Sequence, residues 1–182
     1  ITNIIHSVSS ETNIKLGIHT HNDADSAVAG SIAAVEAGVF QIQGTINGYG
    51  ERCGNANLIS IIANLKLKMG IDCITNEQME FLTDVSLHIA EIANMRSIPS
   101  QPYVGSSAFA HKGGIHAAAV QKIEDSYQHI KPGIVGNDKR ILVSELSGRS
   151  NVLYKVTELG IEIKLSKAQA RQLVEDVKEK EN

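Results

Sequence analysis

Seven residues, Gly17-Ile18-His19-Thr20-His21-Asn22-Asp23, carry the strongest chemical signal in the chain. His19 and His21 end an alternating run in which Ile14, Leu16 and Ile18 are the apolar positions, the period-2 pattern of a strand. In a strand, residues i and i+2 project to one face, so both imidazoles can be presented to one point. They fall at the carboxy end of that strand, where α/β barrels gather their reactive groups. Two neutral imidazoles side by side suit a divalent ion. By spacing alone, two ordinary surface or capping histidines fit equally well.

A second stretch, Gly44-Thr45-Ile46-Asn47-Gly48-Tyr49-Gly50-Glu51-Arg52-Cys53-Gly54-Asn55, follows another short apolar run. Its glycines permit positive φ and close approach of backbone to a ligand. Glu51 and Arg52 put an acid and a bidentate anion binder in one tight loop. Asn55 just precedes a helical pattern, where it can cap backbone groups or offer an amide oxygen to a hard cation. By spacing alone, a glycine-rich surface turn with a capping Asn is the simpler account. A third cluster, His111-Lys112-Gly113-Gly114-Ile115-His116, precedes Tyr127. His116 and Tyr127 can both move protons, and a helix-start His beside a packing Tyr has the same appearance. Cys53 and Cys73 read as structural thiols, and His6, His88 and His129 as surface or core residues.

The elements that must position these groups follow from periodicity. Ile1 to Ser9 reads as the end of an amphipathic helix and Asn13 to His19 as a strand. Asp23 to Ala37 reads as a helix facing inward through Ala27, Val28, Ser31, Ile32 and Val35, with Gly38 ending it. Val39 to Gly44 reads as a second strand and Asn57 to Met69 as a helix. Strand, helix, strand, helix with short links predicts parallel strands in an α/β fold. Glu77 to Asn94 reads as one long helix facing inward through Met79, Leu82, Val85, Ile89 and Ile92. Arg96 to Ser107 holds all but one of the 3 prolines and is the best linker. Helical pieces follow at His116 to Lys122, Ser150 to Leu159 and Lys167 to Lys180. Two domains are therefore expected, 1–95 and 96–182, the second smaller and mostly helical.

Composition bounds the function classes. The 182 residues are 42% apolar and 20% charged, the balance of a folded globular chain. A net charge of -3 gives no electrostatic case for nucleic acid or an anionic membrane. No apolar run approaches the ~20 residues that span a bilayer, so a cytoplasmic location is expected. The chain opens on Ile1 within an apolar-periodic stretch and stops inside a polar helix, so an excised fragment is expected too.

Taken together, the three stretches resemble the signature of the isopropylmalate, homocitrate and citramalate synthase family of metal-dependent (β/α)8 enzymes. The match runs in order over nearly the whole chain. Tyr49-Gly50-Glu51-Arg52-Cys53 and Val143-Ser144-Glu145-Leu146-Ser147-Gly148-Arg149-Ser150-Asn151 look most like the citramalate synthase branch. The resemblance implies a partial TIM barrel, its last strands and helices, followed by a small helical subdomain. It implies that His19, His21 and Asn55 hold a divalent metal (Zn, Mn or Mg). It implies that Glu51, a catalytic residue, and Gly54 lie beside the acyl-CoA thioester, with Gly54, Thr45 and Arg52 in the substrate and CoA site, and that His116 and Tyr127 are catalytic and transfer protons. Acetyl-CoA and a 2-oxo acid would be the substrates, in a homodimer. The first five barrel strands, an Asp-Arg pair of the family's site and a regulatory domain have no counterpart, so the chain alone is expected to be inactive. Two other functions are compatible with these residues, a metal-dependent aldolase or lyase of the same superfamily and a helical interaction module. The segment Phe109-Ala110-His111-Lys112-Gly113-Gly114-Ile115-His116 argues against the aldolase or lyase.

Overall fold

The computed structural model describes residues 1–111, 128–138, 140–141, 160, 168–169, 172–173 and 175–176. It separates into two compact units, Ile1–Gly105 with Ile134–Gly136, and Ser106–Gly133 with Asn137–Asn182.

The first unit opens with α1 (Thr2–Glu11), β1 (Gly17–His19), α2 (Ala27–Glu36), β2 (Gln41–Gln43) and α3 (Leu58–Leu67). β1 and β2 pair in parallel, Gly17 opposite Gln41 and His19 opposite Gln43, as the alternation of elements predicts. β1 is shorter than the apolar alternation suggests. Pairing begins at Leu16, whose carbonyl accepts the Phe40 and Gln41 amides, and Ile14 is left 75% exposed.

α2 also starts late, because Asp23–Ser26 form a turn. The Asn22 side chain there accepts the Ala27 amide, and Asp25 adopts φ 52. Its end falls where the sequence places it, with Gly38 at φ 95. One part of α2 packs Ala27 with Ile61, Leu65 and Ala56. Ala34 joins Ile5 and Val39 under α1, so α2 is the element shared by both cores. α3 is capped by Asn57, which accepts the Ile59 amide, and buries Ile59 and Ile61 almost completely.

The long helix expected from Glu77 to Asn94 is two helices, α4 (Asn76–Met79) and α5 (Leu82–Ile92). A capping box between Thr75 and Gln78 starts α4. Residues Ile134–Gly136 dock at the break. Val135 accepts the Thr83 hydroxyl at 2.7 Å, and a side chain at Gly136 would meet the Glu80 carbonyl at 2.0 Å. The buried face of α5 is Leu82, Thr83, Ser86 and Ala90. Val85 and Ile92, expected inside, are exposed, because small polar side chains on the other face make the tertiary hydrogen bonds.

The second unit contains a short parallel pair, β3 (Ala110–His111) and β4 (Arg140–Ile141), and Phe109 stacked on His129 at 6.1 Å. Residues 168–169, 172–173 and 175–176 are helical. The helical pieces expected at 116–122 and 150–159 lie outside the described residues.

Candidate active site

The motif after β1 is held by the glycine-rich loop that follows β2. The Thr20 carbonyl accepts the Ala56 amide at 3.0 Å, and the Asn22 amide donates to the Gly54 carbonyl at 2.8 Å. Between them His21 bridges to Asn55 in antiparallel fashion. Thr20 contacts α2, its hydroxyl 3.0 Å from that of Ser31 and 3.2 Å from the Ala27 carbonyl. Strand alternation sends the neighbouring side chains the other way. The His19 and His21 rings accordingly meet, their centroids 5.3 Å apart and their planes at 69°.

The loop is built around one carbonyl. Tyr49 O accepts both the Thr45 hydroxyl at 2.5 Å and the Asn55 side-chain amide at 3.3 Å. Because Tyr49 offers an acceptor, the Asn55 NH2 must face it, which sends Oδ1 elsewhere. That oxygen is buried and has no hydrogen-bond partner. An unsatisfied buried acceptor costs about 1–3 kcal/mol, and an amide oxygen is a ligand that hard cations accept. Two glycines make this arrangement possible. A side chain at Gly50 would meet Asn55 Nδ2 at 2.4 Å, and one at Gly54, with φ +87, would meet the Gly48 carbonyl at 2.0 Å.

Glu51 and Arg52 sit on the outer lip. Arg52, at φ 57, grips Asp23 with Nε at 2.7 Å and Nη2 at 3.0 Å, while its Nη1 lies 3.9 Å from Glu51. The Arg52 hydrogen bond holds the Asp23 carboxyl below the usual carboxylate range, with its charge and that of His21 adding to the effect. The same contact raises the pKa of Arg52. Glu51 is 88% exposed.

Cys53 and Cys73 are free thiols, and both are exposed. Cys53 lies on the loop lip, and Cys73 follows α3 with its thiol 3.9 Å from the Ile62 carbonyl. His116 and Tyr127 lie outside the described residues.

The structure thus brings His19, His21, Asn55, Thr45 and Gly54 together, with Glu51 and Arg52 on the rim. Sequence reasoning missed Asp23 as the partner of Arg52, and Asn47 as a hydrogen-bonding centre. The Asn47-Gly48 dipeptide, a left-handed turn signal, was the available clue to the second. Among the described residues no three His, Cys, Asp or Glu side chains gather in a metal-binding group. His19, His21 and Asn55 offer two imidazoles and an amide oxygen, donor types that suit a divalent ion with N and O preferences.

Two family models together match nearly the whole chain. The HMGL-like family model matches residues 1–97, and the homocitrate synthase post-HMGL domain-like model matches residues 103–182. The (R)-citramalate synthase of Geobacter sulfurreducens is 50% identical over 100% of this chain and 34% of its own length. That of Aquifex aeolicus is 53% identical over 91% of this chain and 31% of its own length. The homocitrate synthase AksA of Methanopyrus kandleri is 42% identical over 82% of this chain and 37% of its own length. The chain therefore spans about a third of the length of these relatives. With the parallel βα layer, the paired imidazoles and the glycine-rich loop all within the matched segment, the chain belongs to the HMGL-like family, a TIM-barrel family.

Proposed function

We propose that this chain supplies part of the active site of a synthase that joins acetyl-CoA to a 2-oxo acid in a Claisen-type condensation, with pyruvate as the oxo acid and citramalate as the product. The relatives named (R)-citramalate synthase, 50% and 53% identical, support this substrate over those of 2-isopropylmalate and homocitrate synthases. A place in branched-chain amino-acid biosynthesis follows from the product. The observation that carries the site is the buried, unpartnered Oδ1 of Asn55, on the residue whose backbone bridges to His21.

In this reading His19, His21 and Asn55 hold a divalent cation, Zn, Mn or Mg. When bound, the ion supplies Lewis-acid polarisation of the oxo acid's carbonyl. Thr45 and Gly54 shape the loop against which the substrates lie, and Arg52 offers positive charge at the rim. Glu51 sits beside the thioester. His116 and Tyr127 move protons: one leaves the acetyl methyl, the resulting carbanion attacks the keto carbon, and the new alkoxide gains a proton. Water then cleaves the thioester, releasing CoA. Residues 1–95 are the barrel part and 96–182 a mostly helical subdomain. The protein acts as a homodimer in the cytoplasm, and among the described residues no helix is long and apolar enough to cross a membrane.

The test is to assay the full-length protein carrying this segment for CoA release from acetyl-CoA with pyruvate, 2-oxoisovalerate and 2-oxoglutarate. Preference for pyruvate is expected. Preference for either of the others would move the assignment to the isopropylmalate or homocitrate branch.

A further inference from the structure

Asn47 is the most heavily hydrogen-bonded side chain of the loop. Its Oδ1 accepts the Ser86 hydroxyl at 2.6 Å and the Gln101 amide at 2.9 Å. Its Nδ2 donates to the Ser86 carbonyl at 2.8 Å and to the Tyr49 hydroxyl at 3.4 Å. A side-chain amide has two donor hydrogens and two acceptor lone pairs, so all of its capacity is used. Ser86 and Gln101 are themselves buried. Asn47 also stands at φ 62, a left-handed conformation that Asn tolerates better than other side chains.

The next two residues hold Asn55. Gly48 O accepts the Asn55 backbone amide at 3.0 Å, and Tyr49 O accepts its side-chain amide at 3.3 Å. Turning the chain at residue 47 therefore swings both carbonyls that orient Asn55. The anchor points are distant in sequence: Ser86 lies on α5, and Gln101 lies in the proline-containing turn closed by the bond from the Gly105 amide to the Gln101 carbonyl at 2.9 Å.

We propose that Asn47, tied to Ser86 and Gln101, is a positioning residue that fixes the Asn55 amide oxygen and thereby sets the site's affinity for a divalent cation. This rests on the metal reading above. The chain after α5 thus reaches the cation site through two hydrogen-bonded residues and two backbone carbonyls. A fold tie alone would change the melting temperature without changing cation affinity in the folded protein.

The experiment titrates Mn2+, with the free ion measured by electron paramagnetic resonance, into the full-length protein and three variants well below their melting temperatures. Asn47→Gly keeps the left-handed backbone and removes the ties, Ser86→Ala removes one hydroxyl, and Asn55→Ala removes the ligand oxygen. Losing a group that orients a metal ligand typically costs about 10–100-fold in metal affinity. Asn47→Gly is expected to weaken Mn2+ binding by about tenfold or more, and Ser86→Ala by a smaller factor. If Asn55→Ala weakens binding while Asn47→Gly and Ser86→Ala bind as wild type, the positioning role is overturned and the metal reading stands. If all three bind as wild type, the metal reading fails and takes this proposal with it. Should Asn47→Gly not fold, the Ser86→Ala titration decides by the same comparison.

Discussion

At His21 one residue serves two ends: its backbone bridges to Asn55 and its ring lies 5.3 Å from that of His19. Replacing the ring leaves the backbone bridge intact, so His21→Ala is a clean probe of the imidazole. In the full-length protein this variant is expected to retain its fold, lose bound metal and lose condensation activity. Wild-type turnover with normal metal content would remove His21 from the site. Asp23 makes a second, pH-dependent prediction. Its carboxyl titrates below its ordinary value of 3.8 because Arg52 hydrogen-bonds the charged form. A carboxylate depressed in the folded state contributes stability above its unfolded pKa, and that contribution fades as pH falls through the folded value. Both partners are half exposed, so the effect is small and salt-screened. Melting temperatures of wild type and Asp23→Asn should differ at pH 7, and the gap should narrow as pH falls below the ordinary carboxylate range; a constant gap would contradict the pairing.

Among the elements, the glycine-rich loop and α5 show how little local propensity decides. Gly38 and Gly54 both have positive φ, but a side chain at Gly38 meets nothing within 4 Å while one at Gly54 strikes the Gly48 carbonyl. Gly38→Ala is therefore expected to cost only the left-handed penalty of about 1–2 kcal/mol. Gly54→Ala should cost clearly more, since the loop must open, and urea melts of the two variants compare them directly. Equal costs would mean the loop yields freely at Gly48. On α5 the buried face runs through Leu82, and Ile92 is 68% exposed. Leu82→Ala should destabilise this chain by about 2–5 kcal/mol, whereas Ile92→Ala should stay within about 0.5 kcal/mol. A cost at Ile92 as large as that at Leu82 would return Ile92 to the inward face that apolar periodicity suggests.

For the whole molecule, the decisive feature is the sheet. In the first unit β1 and β2 form a two-stranded parallel pair, and two strands cannot curve into a closed barrel. Condensation needs cation, oxo acid and thioester held to within fractions of an ångström. The 182-residue chain, about a third as long as its relatives (34% for the first), is therefore expected to release no CoA from acetyl-CoA and pyruvate, even with added metal. A thiol-release assay with a His21→Ala control is the check. Turnover that the control abolishes would mean the site is complete within these residues.

The amino-acid sequence alone determined the order of strand and helix, the parallel pairing and the shared face of His19 and His21. Each depends on periods of 2 and 3.6 residues, which are local properties. Three motifs in order also sufficed for the family resemblance. Only tertiary structure decided which face of α5 is buried, because Ser86 is drawn inward by Asn47 rather than by its own hydropathy. The break between α4 and α5 was likewise out of reach, since the residues that dock against it, Val135 and Gly136, lie more than fifty residues downstream of Glu80. The grip of Arg52 on Asp23 spans 29 positions, and the turning of the Asn55 oxygen away from Tyr49 needs a loop folded back on itself. Such contacts join residues far apart in the chain, and their energies depend on distances that no local pattern encodes.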